Sequence, residues 1–72
     1  MPRELLHVRP DADRWVVLHN GNIRASLGTR TRAVIMAREW AKTLRATLTI
    51  ADEAGHIVER RTYGREPRDG KG

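Results

Sequence analysis

The sequence predicts an α+β domain in which an antiparallel sheet of four or five strands packs on a single helix, in the order β-β-β-α-β-β. Three observations lead to this prediction. The stretch from Thr29 to Arg45 has the apolar spacing of an amphipathic helix. The segments on either side of it alternate in polarity and contain turn residues, as β-hairpins do. A chain of 72 residues has room for only one such core.

The first two strands are predicted from Leu5–Arg9 and Trp15–Leu18, the second being rich in residues that favour strands. Pro10 ends the first strand, because it has no amide hydrogen to donate to a neighbouring strand. Pro10 and Asp11 then stand at the turn positions that type I turns prefer for these residue types. These segments therefore form the first predicted hairpin.

A third strand is predicted from Ile23–Leu27, because the pair Asn20 and Gly21 before it favours the positive φ angles of a tight hairpin. Strand side chains alternate between the two faces of a sheet, so every second residue shares a face. In the second strand Trp15 and Val17 are predicted to face inward, and in the third strand Ile23, Ala25 and Leu27 are predicted to alternate with Arg24 and Ser26.

The helix is predicted to begin after Thr29, whose hydroxyl can accept a hydrogen bond from an amide of the first turn. Arg45 lies in the last turn, where a cation complements the helix dipole. Apolar residues recur at spacings of three and four, and the stripe that they form is predicted to contact the sheet. It consists of Ala33, Val34, Ala37, Trp40, Ala41 and Leu44.

The chain after the helix predicts a second hairpin. Leu48 and Ile50 alternate with threonines in a fourth strand, and Ile57–Tyr63 is the fifth. Asp52 opens the turn between them and Gly55 closes it, as in type I turns.

These elements divide the chain into a compact domain, residues 1–63, and a tail, residues 64–72. The tail has Pro67 as its one apolar residue, so it cannot offset the entropy cost of ordering. We therefore predict a flexible basic tail, in which Arg65 and Arg68 either add affinity for an anionic partner or only keep the chain soluble.

Composition excludes several classes of protein. Cysteine is absent, which removes disulfides and thiolate metal sites and suits a reducing cytosol. No apolar run approaches the roughly 20 residues that span a bilayer. The N-terminus lacks the apolar core of a signal peptide. We therefore expect a cytoplasmic protein with no membrane partner.

The net charge is +5, and 12 of the 14 basic residues are arginine. Arginine presents a planar fork of donors that matches phosphate and stacks on bases, which favours nucleic acid as a partner. A genome rich in G and C would produce the same excess of arginine over lysine. Composition leaves both explanations open and does not locate a binding face.

The order and spacing of many residues resemble a small bacterial family, the domain-of-unknown-function family 2188. The residues that carry the resemblance are Trp15, Val17, Arg24, Ala25, Ser26, Thr29, Ala33, Ala37, Arg38, Ala41, Lys42, Gly55, Ile57, Arg61, Tyr63, Gly64 and Pro67. The resemblance covers roughly His7 to Pro67 and implies a compact bacterial domain, without implying an activity. The chain departs from it in having Arg32 where the family usually has an acid, and Ile35 and Met36 where it tends to be polar.

The first turn of the helix is the first candidate site. Arg30 and Arg32 lie where the helix dipole disfavours cations, next to the Thr29 hydroxyl and the free amides. Together these groups could hold a phosphate or another anion. The alternative is that both side chains extend into water or pair with a carboxylate.

The second candidate site is a basic stripe along the helix, formed by Arg38, Lys42 and Arg45. Like charges four residues apart repel each other, so such a stripe suggests contact with the phosphates of duplex nucleic acid. Arg60 and Arg61 extend the basic character into the last strand. The alternative is a solvated face without a partner.

Ile35 and Met36 are the candidate protein-interaction residues, because they are apolar and lie on or near the outward side of the helix. A homodimer or another bacterial protein would be the partner, since a small domain without disulfides gains stability by dimerising. The alternative is that both residues widen the contact with the core.

We do not expect an enzyme. The candidate general bases His7, His19 and His56 have no nucleophile at motif spacing, and phosphate-binding loops are absent. A metal site formed by His7 and His19 across paired strands is an alternative, although no third ligand is evident. The sequence thus favours a non-enzymatic binding module without a cofactor, which binds duplex nucleic acid or, alternatively, another protein.

Overall fold

The computed structural model of the chain describes residues 4–63. They form five strands and one helix in the predicted order. The strands are β1 (Leu5–Asp11), β2 (Arg14–His19), β3 (Asn22–Leu27), β4 (Thr47–Ala51) and β5 (Ile57–Thr62), and the helix α1 is Arg30–Leu44. The predicted tail, residues 64–72, lies outside the described residues.

The five strands form one sheet in the order β3-β2-β1-β4-β5, and α1 packs on one of its faces. The predicted α+β class is confirmed, but the sheet is mixed: β1 and β4 are parallel, and the other neighbours are antiparallel. The reason is the connection between β3 and β4. The helix carries the chain from one edge of the sheet to the far side of β1, and parallel neighbours need such a crossover.

The core lies between α1 and the sheet. Ala33, Ala37 and Ala41 have no solvent exposure, and each presents only a methyl group to the sheet. They pack with buried residues of three strands and the loop after the helix: Leu6, Val8, Val17, Ala46, Leu48 and Ile50. The predicted alanine stripe is therefore the contact that holds the helix close to the sheet.

Both ends of α1 are closed by local hydrogen bonds. The Thr29 hydroxyl accepts a bond from the Arg32 amide at 3.2 Å, which confirms the predicted N-cap. At the other end Arg45 adopts a left-handed conformation with φ of 57°. The Ala46 amide then reaches back to the Ala41 carbonyl at 2.9 Å, a pattern that usually places glycine where Arg45 stands.

Each outer strand carries one extra residue, a β-bulge. In β3 the extra residue is Arg24, so that Ala25 faces Val17 while Ile23 faces Leu18. The predicted alternation that places Ile23 on the same face as Ala25 and Leu27 is therefore wrong, because the bulge turns Ile23 to the face without a helix, where it is 54% exposed. In β5 the extra residue is Val58.

The close contact of helix and sheet leads to a testable prediction. Replacing Ala37 with leucine inserts a larger side chain where the backbones approach, and should lower the free energy of unfolding by about 1–3 kcal/mol. Thr31→Leu adds an apolar side chain at an exposed position of the same helix and is the matched control. Urea denaturation measures both. Equal stability of the two variants would contradict the packing described here.

Candidate nucleic-acid interface

The predicted basic stripe of the helix and the last strand meet at one edge of the sheet. Arg38 donates a hydrogen bond from Nη2 to Oε2 of Glu59 at 3.1 Å. Arg61 Nε lies 3.7 Å from the same oxygen. One carboxylate therefore holds two guanidinium groups that are 23 positions apart in the chain, 61 minus 38.

The register of β5 explains this arrangement. Glu59 is paired with Ile50 and Arg61 with Leu48, and both of those partners point toward the helix. Arg60 lies between them, so its side chain projects from the opposite face of the sheet. The edge strand β5 thus carries Arg61 on the face that packs against the helix and Arg60 on the opposite face.

The remaining residues of the stripe extend this surface. Lys42 and Arg45 are exposed, and the Lys42 ammonium lies 3.9 Å from Glu39 in an ion pair of which both members are more than half exposed. We call the set of Arg38, Lys42, Arg45, Arg60 and Arg61 the β5 basic edge. Within residues 4–63 its ion pairs involve two carboxylates, which leaves three positive charges in excess, five minus two.

The ion pairs of this surface are weak constraints. Solvent-exposed pairs contribute about 0–1 kcal/mol, so a phosphate can compete with the carboxylate for the same guanidinium. The Arg38 Nε atom is buried and has no hydrogen-bond partner among the described residues. Glu59 therefore orients Arg38 without satisfying all of its donors.

The first turn of the helix is arranged differently from the predicted anion site. Arg30 turns toward the sheet, where its Nε donates to the Ala51 carbonyl at 3.4 Å and its guanidinium carbon lies 5.9 Å from the centre of the Trp15 ring. Arg32 lies on another side of the helix, and the Thr29 hydroxyl is used by the cap. The three predicted residues therefore do not converge on one point.

That end of the sheet carries charges of both signs. Because β1 and β4 are parallel, their carboxyl ends lie at the same end, beside the start of α1. Asp11, Asp13, Asp52 and Glu53 lie at or just after these strand ends, and Arg14, Arg30 and Arg32 lie at the same end of the fold. The first turn of the helix is therefore not surrounded by positive charge alone.

The aromatic side chains are all committed to packing. Trp15, Trp40 and Tyr63 are half-buried against the core cluster. Tyr63 is held there because its amide donates to the Ala46 carbonyl at 3.0 Å. Within residues 4–63 the protein therefore has no row of exposed rings on which successive bases could stack.

The histidine pair does not form the metal site that was considered. His7 is paired with Leu18 and His19 with Leu6, which places the two rings on opposite faces of the sheet. That hypothesis is wrong. His19 instead binds Glu4, with 2.5 Å between Nε2 and Oε1, and this hydrogen bond lowers the pKa of Glu4. In residues 4–63 no three histidine or acidic side chains group together as metal ligands would.

The two candidate protein-interaction residues differ in environment. Ile35 is 58% exposed on the outer side of α1. Met36 is half-buried in a shallow groove between the helix and β3, where Leu27 and Trp40 form the apolar wall.

Glu59 is the residue of this candidate site that the sequence patterns did not single out. Glu59 and Arg61 alternate with Arg60 along the strand, which shows that Glu59 and Arg61 share a face of the sheet. Which face that is depends on the bulge at Val58, and the sequence gives no sign of that bulge.

The family model described as "Uncharacterized protein conserved in bacteria (DUF2188)" matches residues 6–63, and the chain therefore belongs to this family. This confirms the resemblance noted in the sequence. No curated protein and no solved structure matches the chain. Within the described part of the chain, the single helix is too short and too polar to cross a membrane.

The environment of His7 predicts a pH dependence of stability. Burial lowers the pKa of His7 below its ordinary value of 6.5, and the nearby Arg9 acts in the same direction, while the hydrogen bond to Thr49 opposes them. His7 Nδ1 lies 2.6 Å from the Thr49 hydroxyl. As the pH falls below 6.5, the unfolded chain takes up this proton more readily than the folded chain, so stability should decrease.

Urea denaturation between about pH 7.5 and pH 5 tests this expectation. His7→Gln should lose the part of the pH dependence that the wild type shows below 6.5, whereas His56→Gln, at an exposed turn position, should retain it. A constant difference in unfolding free energy between wild type and His7→Gln at every pH would contradict it.

Proposed function

We propose that this member of the family is a non-enzymatic module that binds duplex nucleic acid by its phosphate backbone, through the β5 basic edge. The observation that carries the proposal is the convergence of two basic segments, distant in sequence, on one edge of the sheet. Arg38 and Arg61 meet at Glu59, and Lys42 continues the line along the helix. Such a surface neutralises phosphates without reading bases.

The geometry supports a duplex over a single strand. Single strands are held by rings that stack on the bases, and the three aromatic side chains of this protein pack against its core. A duplex presents phosphates on a rigid surface, and arginine binds them with two parallel hydrogen bonds. Affinity of this kind is independent of sequence and falls steeply as salt is added.

The position of Arg45 fits the proposal. Arg45 follows the last residue of α1 in a left-handed conformation with φ of 57°, and its side chain is exposed. A left-handed residue at the end of a helix is usually glycine, because a side chain there costs about 1–2 kcal/mol. Ala12 and Asn20 have similar φ angles, so the argument for Arg45 is its charge and exposure and not its conformation.

The arrangement of the histidines supports a non-enzymatic role. His7 bonds to Thr49, His19 bonds to Glu4, and His56 is exposed in the β4–β5 turn. These three possible general bases lie apart from one another, and none is hydrogen-bonded to a serine nucleophile among residues 4–63.

A second candidate function is the binding of another protein through Ile35 and Met36. The exposure of Ile35, 58%, favours it, because a large apolar side chain at the centre of a helix face gains from being covered.

The nucleic-acid proposal predicts the effect of neutralising two residues of the β5 basic edge. Fluorescence anisotropy with a labelled random-sequence duplex, at low and moderate salt, measures Kd and its salt dependence. The double variant Lys42→Gln/Arg61→Gln should weaken binding and reduce the slope of log K against log salt by about two, since each phosphate contact contributes about 0.9.

The matched control is Arg14→Gln/Arg24→Gln, which removes the same charge from β2 and β3 on the other side of the sheet. For this control the slope of log K against log salt should stay close to that of the wild type. An equal loss in both double variants would show that only net charge matters, and no binding by the wild type at low salt would overturn the proposal.

Arg45 provides a test that separates binding from stability. Arg45→Gly should raise the free energy of unfolding by about 1 kcal/mol, because glycine adopts the left-handed conformation without strain. It should nevertheless weaken duplex binding. Arg45→Gln removes the charge but keeps the strained conformation, so it should weaken binding without the gain in stability. Unchanged affinity in both variants would exclude Arg45 from the interface.

A further inference from the structure

The outer face of α1 has an apolar centre and a charged residue at each end. Ile35 and Met36 form the centre. Arg32 precedes Ile35 by three positions and Glu39 follows Met36 by three positions, so all four residues share one side of the helix. Leu27 of β3 and Trp40 extend the apolar area as the wall of a groove that the same face borders.

We infer that this face binds a second copy of the chain, with the two α1 helices antiparallel and a two-fold axis between Ile35 and Met36. In that arrangement Ile35 of each copy lies against Met36 of the other. Arg32 of each copy then faces Glu39 of the other, because both lie three positions from the axis. A symmetric contact of this kind repeats every interaction twice.

The charges of this face are available for such a contact. Arg32 and Glu39 are seven positions apart, which is about 10.5 Å along the helix axis, too far for them to pair within one chain. The Arg32 guanidinium has no ion pair or hydrogen bond with any other side chain of residues 4–63. Glu39 has only the 3.9 Å contact with Lys42, a pair that is more than half exposed.

The charge pattern also selects the direction of packing. In a parallel pair of helices Arg32 would face Arg32 and Glu39 would face Glu39, and like charges brought together oppose association. In the antiparallel pair each Arg32 faces a Glu39 of the other copy, so both contacts are attractive. Packed helices have their axes 8–10 Å apart, about the distance at which these side chains interdigitate.

The size of this helix face determines how tightly the two copies are expected to bind each other. One helix face with part of a neighbouring groove is at the small end of specific interfaces, so we expect a dissociation constant on the order of micromolar or weaker. The face adjoins the β5 basic edge, because Glu39 pairs with Lys42 and Ile35 lines a groove with Arg38 and Glu59. The two proposals are distinguished by testing different residues: the charge exchange between Arg32 and Glu39 tests dimerisation, and Lys42→Gln/Arg61→Gln tests duplex binding.

Charge reversal tests the inference. Arg32→Glu and Glu39→Arg should each weaken the dimer at least about tenfold, because each places like charges opposite one another twice. The double variant Arg32→Glu/Glu39→Arg exchanges the charges and should restore dimerisation. An equimolar mixture of the two single variants should also dimerise, since each supplies the charge that the other lacks.

Sedimentation equilibrium over about 1 µM to 1 mM protein measures these states, and circular dichroism confirms that each variant is folded. Ile35→Lys places a charge at the apolar centre of the proposed interface and should abolish the dimer. Because Ile35 is exposed in the single chain, the substitution should not unfold it. The inference is overturned if the wild type is monomeric throughout this range. It is also overturned if the double variant associates no better than the single variants, or if all variants associate as the wild type does.

Discussion

The contact of three alanines with the sheet is the constraint on which the rest of the structure depends. Ala33, Ala37 and Ala41 present only methyl groups, so the helix lies closer to β1 and β4 than larger side chains would permit. This closeness lets Arg38, on the flank of the helix, reach Glu59 on the outermost strand. Among the longer apolar residues of the helix, Val34 and Trp40 pack against the core, whereas Ile35 lies on the side that faces away from it.

Much of this fold is encoded in local patterns. Helical periodicity, the cap at Thr29 and the Asn-Gly turn correctly located the helix, the second turn and the order of the elements. The prediction that Pro10 ends the first strand is wrong, because β1 continues through Pro10 to Asp11, beyond the residues that pair with β4, and the turn follows at positions 12 and 13. The parallel pairing of β1 and β4 is a property of the whole chain path, and no short segment specifies it. The predicted alternation of Ile23 with Ala25 failed for a related reason: one extra residue, Arg24, reverses it, and nothing in the segment marks it.

In the candidate sites too, local sequence patterns specify some features, whereas others depend on how the whole chain folds. The sequence identified the basic residues of the helix and of the last strand, but as two separate groups. Only the register of β5, which includes a bulge, brings Arg61 beside Arg38 and introduces Glu59 between them. The helix N-terminus shows the opposite outcome. Its arginines looked like one site in sequence, yet the fold turns Arg30 to Trp15 and places acids at that end as well.

The two bulges have a consequence for how molecules of this protein can assemble. An open sheet exposes unpaired backbone groups along its outer strands, and those groups could recruit a strand from another molecule and continue without limit. Here Arg24 interrupts the regular spacing on one side of the sheet, and Val58, which is followed by the charged residues Glu59, Arg60 and Arg61, interrupts it on the other. A strand from another molecule would find no regular series of backbone hydrogen-bonding groups along either outer strand. The sheet is therefore not expected to extend from one molecule to the next. The contact proposed between two copies accordingly uses the surface of the helix and neither outer strand.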